Sequence, residues 1–120
     1  MTETRIILHI TMRTAWNVAR SSGTYRGNTL ETEGFIHCST VDQVLGPANA
    51  MFGGQTGLVL LCIEAKWVAP DIVNEDLTGA GEAFPHIYGP LNTSAVLQVV
   101  DFPPGEDGTF SLPQSARSLL

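Results

Sequence analysis

Positive charge is scarce in this chain. Six of its 120 residues are Lys or Arg, against twelve Asp and Glu, for a formal net charge of -6 and a pI near 4.8. The six cations, Arg5, Arg13, Arg20, Arg26, Lys66 and Arg117, form no run. A surface that tracks phosphates needs clustered Lys and Arg, so long nucleic acid is disfavoured as a partner. One or two arginines suffice for a small phosphorylated ligand. Cysteine is also sparse: Cys38 and Cys62 both lie in apolar runs, which reads as two buried free thiols in a reducing compartment, with a disulfide as the lesser alternative. Long hydrophobic runs are missing. The longest, residues 58–63, is far too short to span a bilayer, so no membrane partner is expected. No N-terminal stretch has the basic, apolar, small-residue order of a signal peptide, and a cytoplasmic location is the expectation.

What is present suits one folded domain. Hydrophobic residues make up 43% and the mean hydropathy is +0.11, enough to fold a chain of this length without staples. RIILHI (residues 5–10) is a β-branched run that reads as a buried first strand. A helix over residues 14–21 follows, with Ala15, Trp16, Val18 and Ala19 as its apolar stripe and Gly23 beyond its end. Residues 24–32 are polar and without period, hence a loop. GFIHCST (residues 34–40) reads as a second strand, and Thr40 with Gln43 fits a capping box that opens a helix over residues 41–52, irregular at Gly46-Pro47.

LVLLCIE (residues 58–64) is apolar on both faces and reads as the central strand. Residues 71–73 and 84–88 read as short extended segments, residues 95–102 as the last long strand, and residues 108–112 as an edge strand. Strands outnumber helices and both helices come early. The fold class is therefore α+β, with a mixed or antiparallel split sheet, in a single domain over residues 1–113 and a flexible C-terminal tail over 114–120.

The candidate chemistry centres on three histidines, His9, His37 and His86, each in a different apolar segment. Taken singly, each is equally well read as a hydrogen-bonded core residue. Taken together they suggest a site, because every buried imidazole needs partners for its ring nitrogens. Strand alternation puts Phe35, His37 and Ser39 on one face and Ile36 and Cys38 on the other. Cys38 and His37 therefore diverge and do not form a nucleophile–base pair. His86 and Tyr88 share a face in the same way. Imidazole, hydroxyl and phenol on adjoining strands would form a polar pocket able to bond a ribose and stack on a base.

In the acidic, Gly-rich stretch of residues 74–82, Asp76 and Glu82 read as solvated loop residues. Glu75, at the end of an extended segment, is the functional candidate. Gly79 and Gly81 lack the Lys-Ser/Thr and the helix that a phosphate loop requires. No H-x-H, H-x-x-x-H or C-x-x-C spacing supports a metal site, and none is assigned. Tyr25 reads as a loop residue, either a lid or a plain surface turn.

LHI before a Trp-containing helix, EGFIHCST, LVLLCIE, FPHIYGPL and a late DG-F-LP together resemble the DUF952 family of small bacterial proteins. The resemblance runs from about Ile6 to Pro113. It implies a fold like that of the ADP-ribosyltransferases, which hold NAD in a cleft between split sheets. By that likeness His9 matches a first-strand residue contacting the adenosine side of NAD, Ser39 and Thr40 resemble the element supporting the ribose or nicotinamide side, and Glu75 could supply the later glutamate. His37 and the His86/Tyr88 pair depart from the pattern. An enzyme of this kind, or a former one, would act on NAD or an ADP-ribose-like nucleotide. Glu75 and His37 would be its catalytic groups, and His9, Ser39, Thr40, His86 and Tyr88 would bind the nucleotide. The alternatives are a nucleotide or metabolite sensor without turnover, and a structural or partner-binding module whose histidines belong to the core.

Overall fold

The computed structural model describes residues 5–118. The chain runs β1 (Ile6–Met12), α1 (Arg13–Ser22), β2 (Thr24–Tyr25), α2 (Leu30–Glu33), β3 (Ile36–His37), α3 (Leu45–Met51), β4 (Leu58–Glu64), β5 (Ile72–Glu75), β6 (Phe84–Ile87), β7 (Leu91–Asn92), β8 (Val96–Asp101) and α4 (Gln114–Arg117). The strands form three antiparallel sheets, ordered β1-β4-β8, β3-β6-β5 and β2-β7. This is a small α+β fold with several antiparallel sheets and few helices. No helix among the described residues is long and apolar enough to cross a membrane.

β4 is buried along its whole length. Its side chains alternate between two cores: Val59, Leu61 and Ile63 join Trp16, Tyr25, Ile36 and Ile87, while Leu58, Leu60 and Cys62 join Leu8, Val44, Phe102 and Phe110. Each aliphatic side chain so buried contributes roughly 1.5–3 kcal/mol. β1 pairs with β4 from Ile6↔Glu64 to Met12↔Leu58, so Ile7, His9 and Thr11 fall on the face of the first core. α1 lays Trp16 and Ala19 on that core and stops at Gly23, whose φ of 87° gives the left-handed helix end.

The two larger sheets are joined along the backbone by an isolated β-bridge. Leu8 and Ser39 exchange backbone hydrogen bonds of 2.7 and 2.8 Å, and the Cys38 N–H continues the β3–β6 ladder onto the Pro85 carbonyl at 3.0 Å. In the second sheet Ile36, Ile87 and Ile72 line up on the core face. His37, His86 and Val73 stand opposite one another on the other face, with Phe84 and Glu75 two residues along.

Several local expectations change. The stretch read as a loop over residues 24–32 holds β2 and the one-turn α2, because Tyr25 is drawn into the core against β7 and Leu91. The helix expected over residues 41–52 is only Leu45–Met51, with Pro47 tolerated in its first turn. Only half of the capping box forms. The Gln43 side chain accepts from the Thr40 N–H at 3.0 Å, while the Thr40 hydroxyl turns to Asp42 at 2.5 Å. No strand forms over residues 108–112: Asp107 closes a turn by accepting from Thr109, and the Phe110 N–H goes to the Asn49 side chain at 2.7 Å, leaving no ladder to join. Within the stretch read as a flexible tail, Gln114–Arg117 form α4 and place Ala116 in the second core; residues 119–120 lie outside the described residues.

Glu64 ends β4 with 1% of its surface exposed and neither carboxylate oxygen hydrogen-bonded; the Lys66 ammonium stands 3.9 Å away. A buried carboxyl group without hydrogen bonds costs stability. Glu64→Met should raise unfolding free energy by roughly 1–4 kcal/mol in urea titrations. An unchanged or lower midpoint would show that the carboxylate has a compensating partner.

The two cysteines are free and buried, and burial pushes both thiols up, Cys62 to about 11. Native protein should therefore react with a thiol reagent only as fast as it opens. Prompt labelling of folded protein would contradict this.

Candidate functional site

The outer face of the β3-β6-β5 sheet carries an aromatic and imidazole cluster. The His37 and His86 rings are a direct cross-strand pair with centroids 5.3 Å apart, and Phe35 packs edge-on against His86 at 4.2 Å and tilted against His37 at 4.7 Å. Gly34, at φ 88°, makes the sharp entry from α2 that delivers Phe35 to this face.

Each imidazole here is backed by a carboxylate. His86 Nδ1 donates to Glu75 Oε2 at 2.9 Å, and the Tyr88 hydroxyl donates to the same oxygen. The pairing is diagonal across β5 and β6, which is the reach the register allows. These two donors hold the Glu75 carboxyl below the usual carboxylate range, the Tyr88 bond contributing most and His86 next. The same contact raises Tyr88. Among the described residues His86 Nε2 makes no hydrogen bond, and the ring lines a cleft. His37 Nε2 meets Glu33 at 3.1 Å in a half-exposed pair.

His9 is different. Its Nδ1–H donates to the His37 carbonyl at 2.5 Å and its Nε2 lies 2.7 Å from the Tyr25 hydroxyl. Burial pushes its pKa down to about 4, with the bond to the His37 carbonyl acting in the opposite direction. The ring is therefore neutral at pH 7, and its Nε2 must accept. Tyr25 then gives its proton to His9, and the Thr11 hydroxyl, 2.9 Å from Tyr25, completes the chain by donating to the phenol. Tyr25 is thus a core residue, 4% exposed, and neither lid nor surface turn.

These groups open on a cleft of about 550 Å³. The structure places His9, His37, Ser39, Glu75 and His86 on its lining. Thr40 and Tyr88 lie outside the lining; Thr40 is tied to Asp42, and Tyr88 reaches the site through Glu75. Sequence reasoning missed Glu33 and Phe35 as site residues. Asp76 and Glu82, read as solvated loop residues, do lie in a loop, and that loop also borders the cleft. Asp76 accepts from the Gly79 and Gly81 N–H groups at 2.9 and 2.7 Å and folds that loop on itself. Gln43, in the turn before α3, ties down the loop's far end through Glu82 and the Ala83 carbonyl at 3.1 and 2.7 Å. The lining has four carboxylates, Glu33, Glu75, Asp76 and Glu82, and no Lys or Arg. Among the described residues no group of three or more His, Cys, Asp or Glu side chains is arranged to hold a metal ion.

The family described as "Protein of unknown function (DUF952)" matches residues 10–99. The chain belongs to the DUF952 family. Its fold is also that of the protein CC0527 from Caulobacter crescentus. The crystal structure of CC0527 is 34% identical with a TM-score of 0.84, covering 93% of this chain and 98% of that one. The solution NMR structure of CC0527 is 35% identical with a TM-score of 0.79, covering 92% and 95%. No curated protein matches the sequence. The family model fixes the family and the CC0527 structures support the architecture; their names carry no activity.

The His9 shift has a definite sign. Its folded pKa lies below its unfolded value of 6.5, so the unfolded chain takes up a proton first as pH falls. The contribution is intact above about pH 6.5 and is lost progressively down to about pH 4, up to roughly 3 kcal/mol in all. Denaturant titrations from pH 7.5 to 4.5 should show this fall, and His9→Gln should flatten it while lowering stability at pH 7. An unaltered slope in the variant would refute the assignment.

Proposed function

We propose that the cleft binds a nucleoside-like ligand, with NAD or an ADP-ribose-like nucleotide as the substrate class, and that Glu75 stabilises positive charge at the ribosyl carbon when the N-glycosidic bond breaks. The observation that carries this reading is the double hydrogen bond to one oxygen of Glu75. His86 and Tyr88 keep that carboxylate ionised and fixed, and its second oxygen makes no hydrogen bond among the described residues. A preorganised carboxylate in a partly enclosed site is what a developing oxocarbenium-like centre requires.

The lining suits one half of such a substrate. Phe35 and Phe84 offer apolar faces for a flat ring, and Ser39 and His86 Nε2 offer bonds to ribose hydroxyls. Four carboxylates favour a neutral or cationic ring, such as nicotinamide on its ribose, and turn a pyrophosphate away from this end. In the reaction the bonding pair leaves with the ring nitrogen, an acceptor oxygen bonds to the ribosyl carbon, and His37, backed by Glu33, takes the acceptor's proton. His9, with both nitrogens committed inside the protein, contributes a wall rather than a hydrogen bond. Thr40 supports the ribose element through its turn, and Tyr88 acts through Glu75. The split antiparallel sheets around the cleft support kinship with the ADP-ribosyltransferase-like fold.

Thermal-shift titration with nicotinamide riboside, NAD and ADP-ribose tests the binding. A ligand at a hundred times its Kd should add about 2.7 kcal/mol to stability. His86→Ala should abolish the shift. Glu75→Gln should keep it and lower nicotinamide release about 100- to 1,000-fold. A shift without any turnover would favour the sensor reading. No shift at millimolar ligand would remove the nucleoside reading altogether.

A further inference from the structure

A second cavity, of about 810 Å³, lies against the first. Ile10, Asn28 and Phe52 line both, so the two are neighbours that share these side chains. The wall between them is the buried relay just described: His9 faces the first cavity, while Tyr25 and Thr11 face the second. The charges are opposite on the two sides. The first cavity is lined by four carboxylates and no cation. The second has one charged lining residue, Arg26, and no carboxylate. Arg26 is exposed and makes no ion pair or side-chain hydrogen bond among the described residues. Its neighbours on the lining, Ser22, Thr24 and Gln55, add neutral hydrogen-bonding groups.

We infer that the two cavities are two halves of one binding channel, and that Arg26 receives the phosphate of a nucleoside phosphate whose ring and ribose occupy the acidic half. This rests on the nucleoside reading above. A free guanidinium presents paired N–H donors that match a phosphate, and without a protein carboxylate it loses no existing partner on binding. The acidic half repels the same phosphate. The ligand's orientation is thus set by charge at both ends, and Asn28 stands at the crossing between them.

Matched pairs test this: nicotinamide riboside against its 5′-monophosphate, and adenosine against AMP, titrated by calorimetry at low salt. In the wild type the phosphate should tighten Kd roughly ten-fold or more for at least one pair. That gain should shrink as salt rises. Arg26→Ala should erase the gain and leave nucleoside Kd within about two-fold, with an unchanged melting temperature for the free protein. His86→Ala should weaken both members of the pair together. Nucleoside binding with no phosphate gain, or a gain that survives Arg26→Ala, overturns the channel alone. Failure of nucleoside and nucleotide alike to bind overturns the nucleoside reading and this inference with it.

Discussion

The alternation of β4 between two cores is the constraint on which the rest of the structure depends. Because Val59, Leu61 and Ile63 face one way and Leu58, Leu60 and Cys62 the other, a slip of one residue would exchange two packed clusters. That fixes β1, and β1 fixes the site. Leu8 pins Ser39, the segment from Phe35 to Ser39 pins β6, and β6 holds β5 in the register that brings Glu75 to His86. The carboxylate–imidazole contact is therefore positioned by backbone ladders that lead back to a fully buried strand. Few of these links belong to loops, which is how a small domain can hold a polar group within hydrogen-bond tolerance.

Local period made part of this legible. The unbroken apolar run of residues 58–63 announced a strand buried on both faces, and the runs near residues 5–10 and 95–102 announced two more main strands, which pair with it on either side. The period of two in GFIHCST correctly separated His37 from Cys38, and the same rule put His86 and Tyr88 together. The partner of His9 was not legible. Tyr25 lies sixteen residues away in a polar stretch with no period, and only the packing of β2 against β7 draws it inward. Glu33 did carry a signal, since it stands four residues before His37. That spacing supports pairing in a helix, and here the pair forms although the helix has ended at Gly34. The expected strand over residues 108–112 failed for the opposite reason. Its apolar residues were real, but Asp107 and Asn49 supplied side-chain partners that compete with a ladder.

The three histidines do different work because their surroundings differ. His9 is enclosed on β1 and stays neutral, so its ring adds no positive charge to either cavity. His86 is also buried, yet one nitrogen bonds a carboxylate and the other makes no hydrogen bond among the described residues, on a ring that lines the cleft. His37 is half-exposed beside Glu33. Burial alone would have ranked His9 and His86 as equivalent core residues. What separates them is the second ring nitrogen, which bonds Tyr25 in His9 and makes no hydrogen bond among the described residues in His86.

That difference sustains the opposite charge of the two cavities. If His9 were protonated at neutral pH, the wall between them would carry a cation next to the acidic half and would offset part of its field. Burial prevents this, and the Thr11–Tyr25–His9 chain ends on the His37 carbonyl, so the relay is a line of dipoles with no net charge. The carboxylates of one cavity and Arg26 of the other then act across a neutral partition. The Thr11–Tyr25–His9 chain thus satisfies buried polar groups in the core while adding no charge of its own to either cavity.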